Sequence, residues 1–143
     1  MWVDPSGYAC KKINGVDVVH LDNNALVEAI DNGNAARVDA AINGRIPVIS
    51  DAVIDEYLAS PKANQDDLLD FLIKRGGDFA GSASDADIQA LIALGPTAKQ
   101  PRVIHKADAA VAATAIRDDA YLLTADSRLT KYLKEFGYKV EGF

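Results

Sequence analysis

Short apolar runs alternate with amphipathic stretches along almost the whole chain. The first run, Val16–Leu21, is broken only by Asp17 and His20 and ends in Asp22-Asn23-Asn24. It reads as a buried strand. Asn23 or Asn24 is placed to cap a helix through Ile30, with Leu26, Val27 and Ile30 on one face and Gly33 past its end. Asn34 opens a second helix carrying Val38, Ala41 and Ile42, closed by Gly44. Ile46–Ile49 reads as the second strand. Ser50 or Asp51 then caps a helix with Val53, Ile54, Tyr57 and Leu58 apolar, ending near Pro61.

The same grammar continues. Asn64 opens a helix to about Arg75, with Leu68, Leu69, Leu72 and Ile73 facing inward and Gly76-Gly77 stopping it. Asp78–Ala80 reads as a short strand. Ser84 with Asp87 resembles a capping box ahead of the Ile88, Leu91, Ile92 stripe, which Gly95-Pro96 ends. After a loop at Lys99–Arg102, His105–Arg117 is so rich in Ala and Val that it predicts a helix buried nearly all round. Tyr121–Thr124 is strand-like. Leu129, Tyr132, Leu133 and Phe136 fall at i, i+3, i+4 and i+7, with Gly137 as the cap, and Tyr138–Val140 closes the chain as a last short strand. Residues 1–15, with Pro5, Gly7 and Gly15, lack periodicity and read as an irregular lead-in. Alternating strands and helices predict an α/β domain with a parallel sheet covered by helices.

The bulk numbers bound this picture without changing it. At 143 residues, 49% hydrophobic and 25% charged, one domain with a real core is expected. No run approaches the ~18–20 apolar residues of a membrane span. The first residues, MWVDPSGYACKK, lack the apolar centre of a signal peptide, although export by a route that reads no signal stays open. Cys10 is the only cysteine, so no internal disulfide forms. A net charge of −6 argues mildly against binding nucleic acid by bulk electrostatics. An acidic metal site would inflate that number while leaving local basic patches intact.

Asp22 sits where open α/β folds place ligand-binding groups, at the C-terminal end of a strand just before a helix, and three later stretches put an acid in a similar place: Glu56, Asp108 and Asp126. Asp22 follows the first strand and Asp126 follows Leu122-Leu123-Thr124-Ala125. For each, a plain helix cap is the competing reading. Asp108 lies in the first turn of the Ala-rich helix. A charge so near the interior needs a partner, and the helix N-terminus favours its ionised form. Asp55 and Glu56 lie about equally far from the apolar face of their helix, so periodicity does not choose between them. Carboxylates converging from separate elements would repel unless a cation neutralised them, and oxygen ligands suit Mg²⁺ or Mn²⁺. His20, within a strand, reads as structural. His105, near Asp108, is either a helix-start residue or a phosphate contact.

These stretches resemble the PIN domain family. The resemblance rests on VVHLDNNAL, PVISDAVIDEYL and KADAAVAATAIRDDAYLLTAD, and in order and spacing it covers residues 16–143. It implies a three-layer α/β/α sandwich around a parallel sheet of about five strands. It also implies an acidic quartet of Asp22, Glu56, Asp108 and Asp126, with Glu56 assigned by its spacing from Ser50. Asn24 would steady the site and Thr124 would be the small hydroxyl beside it. The implied activity is hydrolysis of phosphodiester bonds with Mg²⁺ or Mn²⁺, most often in RNA. Ser127-Arg128-Leu129 departs from the aromatic that often follows the last acid. Lys99, Arg102 and Lys106 before Asp108, and Arg128 and Lys131 after Asp126, are candidates for a basic rim on the substrate.

The lead-in resembles something else. Asp4-Pro5-Ser6-Gly7-Tyr8 is similar to the Asp-Pro-x-Gly end of the Rhs/YD-repeat core, with Tyr where Leu is usual. That resemblance implies the C-terminal toxin of a polymorphic secreted protein, delivered to a target-cell cytoplasm and paired with a cognate immunity protein, with Met1 an added start. The division is then a lead-in at 1–15 and a nuclease domain at 16–143. Two other classes compete: a non-catalytic PIN-like interaction domain, and a phosphatase-type domain using Asp22. The latter wants a second Asp where this chain has Asn24.

Overall fold

The computed structural model describes residues 12–143. The Rhs-like motif at Asp4–Tyr8, Cys10 and most of the lead-in lie outside them. Within them the chain runs β1 (Lys12–Ile13), β2 (Val16–Leu21), α1 (Asn23–Leu26), a π-helical turn (Val27–Asp31), α2 (Ala35–Ile42), β3 (Ile46–Ser50), α3 (Asp51–Leu58) and α4 (Gln65–Lys74). It continues through β4 (Asp78–Ala80), α5 (Asp85–Ala93), a 3₁₀ turn (Gly95–Thr97), α6 (Lys106–Arg117), β5 (Tyr121–Thr124), α7 (Ser127–Glu135) and β6 (Val140–Gly142).

Five strands form a parallel sheet in the order β4-β3-β2-β5-β6, and β1 adds an antiparallel strip along the start of β2. His20 pairs with Val48 on one side and Leu122 on the other, so β2 is central. The chain steps from β2 through β3 to β4, then crosses back to β5. Right-handed crossovers therefore place α1–α4 on one face and α5–α7 on the other. The reversal of direction falls between β2 and β5. Their C-terminal ends flank the crevice in which such sheets bind ligands.

The core follows the period of the strands. Val19, Leu21 and Ile49 join the large cluster that includes Leu26, Val53, Leu72 and Val111, while Val18 and Val48 join a smaller one with Ala80 and Ala120. Residues Ala109–Ala115 of α6 are all buried, as their composition requires. Inside this helix the Thr114 hydroxyl donates to the Ala110 carbonyl at 2.7 Å and accepts the Ala83 amide at 3.0 Å. His20 is 1% exposed and its Nε2 lies 2.8 Å from Asp118 Oδ2, the structural placement its strand position suggested. No helix among the described residues is long and apolar enough to cross a membrane.

Several local expectations are corrected. The end of the lead-in is not irregular: Asn14 (φ 51°) and Gly15 (φ 79°) form a tight turn joining β1 to β2. The first helix is capped by Asp22, not Asn23 or Asn24, and becomes π-helical at Val27. The Tyr57 hydroxyl donates to Asp31 at 2.8 Å, at the end of this wider turn. Tyr57→Phe is expected to cost about 1–2 kcal/mol in urea unfolding, because Asp31 loses its donor in a half-buried position. In α4, Phe71 is buried in place of Ile73, which is 75% exposed. Leu58 also points outward. The last strand begins at Val140 rather than Tyr138, because the Tyr138 amide is bonded to the Leu133 carbonyl at the exit of α7.

Candidate active site

Asp22 directly follows β2 and is 5% exposed. Its Oδ1 accepts the Asn23 amide at 2.7 Å, and its Oδ2 accepts the Thr124 hydroxyl at 2.7 Å and the Asn24 side-chain amide at 3.4 Å. The Asp22 amide donates to Leu123 O at 3.0 Å, which ties the end of β2 to β5. Asn24 Nδ2 also donates to Thr124 Oγ1 at 3.1 Å, and Asn24 Oδ1 accepts the Ala125 amide at 3.0 Å. Thr124 Oγ1 accepts the Asp126 amide at 3.1 Å. Asn24 and Thr124 therefore lock the ends of β2 and β5 together around one carboxylate.

Asp126 caps α7, its Oδ1 accepting the Arg128 and Leu129 amides at 2.9 and 3.2 Å. Asp22 and Asp126 are thus helix caps, the competing reading of each, and the cap position also leaves them at the C-terminal ends of β2 and β5. Asp108 sits half-buried in the first turn of α6, and Glu56 stands at the exposed edge of α3.

The electrostatics show that acids from four elements converge. Burial raises the pKa of Asp22 from the ordinary range, opposed by its three hydrogen bonds and reinforced by the charge on Asp126. Asp108 is raised by burial, then by Asp22 and Asp126, while His105 acts in the other direction. Glu56 is raised by burial, then by Asp22 and Asp108. Both Asp22 and Asp108 therefore act on Glu56, the acid of the Asp55/Glu56 pair that family spacing selected.

Among the described residues, no three acidic, His or Cys side chains are drawn tightly enough to enclose a metal ion as they stand. The donor set nevertheless fits a hard cation. It is carboxylate oxygen throughout, and Mg²⁺ keeps several waters while taking only one or two carboxylates directly. A carboxylate offers about four acceptor positions, and the three donors on Asp22 leave one open on Oδ1. Thr124→Val, which removes the hydroxyl holding Asp22 Oδ2, is expected to weaken Mn²⁺ binding by roughly 10–100-fold in a calorimetric titration.

Asp108 and Asp126 open onto a cleft of about 540 Å³. Its other walls include Arg102, Val103, His105, Arg128 and Lys131. Of the basic residues singled out in the sequence, Arg102, Arg128 and Lys131 line this cleft; Lys99 and Lys106 do not. His105 is the N-cap residue of α6, makes no side-chain capping bond and faces the same space. Pro101, Val103 and Ile104 also line the cleft, and no sequence signal marked them, since Val103-Ile104 reads as an ordinary apolar pair.

The PIN domain family profile matches residues 19–134, a span that contains all four acids. The chain belongs to the PIN domain family. Solved structures share the PIN fold. VapBC2 from Rickettsia felis, bound to a DNA fragment from their promoter, matches with a TM-score of 0.62 at 20% identity over 88% of this chain and 98% of that one. FitAcB from Neisseria gonorrhoeae matches with a TM-score of 0.60 at 19% identity, over 85% and 95% of the two chains. VapBC-1 from nontypeable Haemophilus influenzae gives 0.57 at 18% identity, over 87% and 97%. At these identities the likeness is one of fold. No curated protein sequence matches the chain significantly.

Proposed function

We propose that this PIN domain hydrolyses phosphodiester bonds in nucleic acid with Mg²⁺ or Mn²⁺, and that RNA rather than DNA is its substrate. The observation carrying this reading is the meeting of four acids at the reversal point of the sheet, where Asp22 acts on Glu56 and Asp108, Asp108 acts on Glu56, and Asp126 acts on Asp22 and Asp108. A divalent cation, when bound, supplies the Lewis acidity that polarises a phosphoryl oxygen and acidifies a water. Asp22, Asp108, Asp126 and Glu56 would hold it. Asn24 and Thr124 keep the Asp22 carboxylate in one orientation. Glu56, whose proton affinity is raised and whose side chain is accessible, is suited to take a proton at its carboxylate. Arg102 and Arg128 offset phosphate charge in the cleft.

We further read the domain as a toxin with a neutralising protein partner, the cognate immunity protein. Support comes from two sides. VapBC2, a neighbour in fold, was solved bound to a DNA fragment from their promoter. Asp4–Tyr8 resembles the junction that precedes Rhs toxin domains. On this reading residues 1–15 are the junction and the domain acts in the cytoplasm of a target cell, where its RNA is.

The test is a digest of total RNA, tRNA and DNA with Mg²⁺, Mn²⁺ or chelator. Cleavage of RNA that chelator abolishes is expected. Identical products with cation and with chelator would overturn cation-dependent hydrolysis, and no cleavage of any substrate would leave a non-catalytic PIN domain.

A further inference from the structure

Helix α3 carries two apolar faces and buries only one of them fully. Val53 and Tyr57 are 0% and 1% exposed, whereas Ile54 is half-buried and Leu58 is 39% exposed. Each pair is spaced i, i+4, so each lies along one side of the helix, and the two sides are ~100° apart. Ile54 with Leu58 is at least as apolar as Val53 with Tyr57. Burial of apolar area alone therefore specifies the rotation of α3 about its axis only weakly.

That rotation decides which side chain meets the acids. Glu56 is close enough to Asp22 and Asp108 for both charges to act on it. Turning α3 by one residue, so that Ile54 and Leu58 went inward, would give the place of Glu56 to Tyr57 and move Glu56 to the place of Asp55. The acidic centre would then lose one carboxylate.

One polar contact tells the two rotations apart. The buried Tyr57 hydroxyl donates to Asp31 Oδ1 at 2.8 Å. Asp31 closes the π-helical turn, where the Asn32 amide reaches back five residues to Val27 O at 2.9 Å. Among the described residues this is the only side-chain hydrogen bond or ion pair made by any residue of α3. The Ser50 hydroxyl at the start of the helix makes no capping bond and finds no partner among the described residues. Neither Ile54 nor Leu58 has a group that could take over from the Tyr57 hydroxyl. Selecting one packing register over another is the best-attested use of a buried polar contact.

We infer that Tyr57 and Asp31 are positioning residues, whose hydrogen bond fixes the rotation of α3 and so presents Glu56 to Asp22 and Asp108. The inference rests on the assignment of Glu56 to the cation centre and adds what holds it there. A hydrogen bond to a charged group changes a population about tenfold or more, enough to separate two faces of similar apolarity.

The test compares wild type with Tyr57→Phe, with Asp31→Asn, and with Tyr57→Phe combined with Leu58→Ser. Two measurements are made on each. Without cation, a soluble paramagnetic probe broadens the NMR signals of exposed methyl groups. With Mn²⁺, calorimetry gives the affinity. In Tyr57→Phe the Leu58 methyls should gain protection, the Val53 methyls should lose it, and Mn²⁺ should bind roughly threefold or more weakly. Asp31→Asn keeps an acceptor for the Tyr57 hydroxyl and should stay within about twofold of wild type. Leu58→Ser makes the competing face polar, so the double variant should recover the protection of Val53 and most of the lost affinity. Lower stability of Tyr57→Phe with unchanged methyl protection and unchanged Mn²⁺ affinity would make the bond a support for the fold alone and overturn the inference. Failure of Leu58→Ser to restore either reading would overturn it too. Exchange of protection between Leu58 and Val53 in a chain whose wild type binds no Mn²⁺ would uphold the rotational lock and sink the cation reading instead.

Discussion

Asp22→Asn is expected to lower cation-dependent RNA cleavage by more than about 100-fold while the chain stays folded. Residues that merely orient a metal ligand cost 10–100-fold when removed, so loss of a ligand carboxylate should exceed that. The substitution is nearly isosteric. It removes the charge that raises the proton affinity of Asp108 and Glu56. Against this relief stands one awkward hydrogen bond. An Asn oxygen can serve the Asn23 amide, but its NH₂ then faces Thr124 Oγ1, which already accepts from Asn24 and Asp126. A net change in unfolding free energy within about 1 kcal/mol is expected. Undiminished cleavage by this variant would remove Asp22 from the machinery.

The second large effect is on stability, and it depends on pH and cation together. Folding raises the pKa values of Asp22, Glu56 and Asp108 above their ordinary values. The folded chain therefore holds these protons more tightly than the unfolded chain does. Their ionisation costs folding free energy, so this contribution falls as pH rises from about 4 through the folded-state values and then levels off. Without cation, Asp108→Asn should gain on wild type between pH 4 and pH 7 in a series of melting curves. Mn²⁺ should reverse the ranking. At a hundredfold excess over its dissociation constant a cation bound only to the folded state contributes about 2.7 kcal/mol, roughly 10 °C in Tm for a chain of this size. Wild type should show that shift at pH 7, and Asp22→Asn should show little of it. Equal Mn²⁺ shifts in the two proteins would mean that the cation binds elsewhere.

Much of this was legible in the sequence because the signals were local. Apolar runs ending at Asp22 and Asp126 marked strand ends in a parallel sheet, and strand ends are where its ligands go. The Ala-rich stretch around Asp108 could only be an interior helix. What stayed hidden depends on packing. The positions 68, 69, 72 and 73 form one acceptable helical face and 68, 71 and 72 form another; the neighbours of α4 selected the second. The π-helical turn differs from an α-helix by one residue in its ring, with the Tyr57–Asp31 bond closing its end from 26 residues away. The β1 turn was announced by Asn14-Gly15, but flanking strand pairing of only two residues gave no period to read. Asp55 and Glu56 were equivalent by angle, and they part only because α3 packs near α1 and α6. Family spacing chose Glu56 before any geometry could.

Crystals grown with Mn²⁺ offer the most direct test, through an anomalous difference map. One or two Mn²⁺ ions are expected among Asp22, Asp108 and Asp126, at about the 2.1 Å typical of a small divalent ion and carboxylate oxygen. A map with no ion there, and with the acids turned into separate regions of solvent, would contradict a shared cation as the basis of this site.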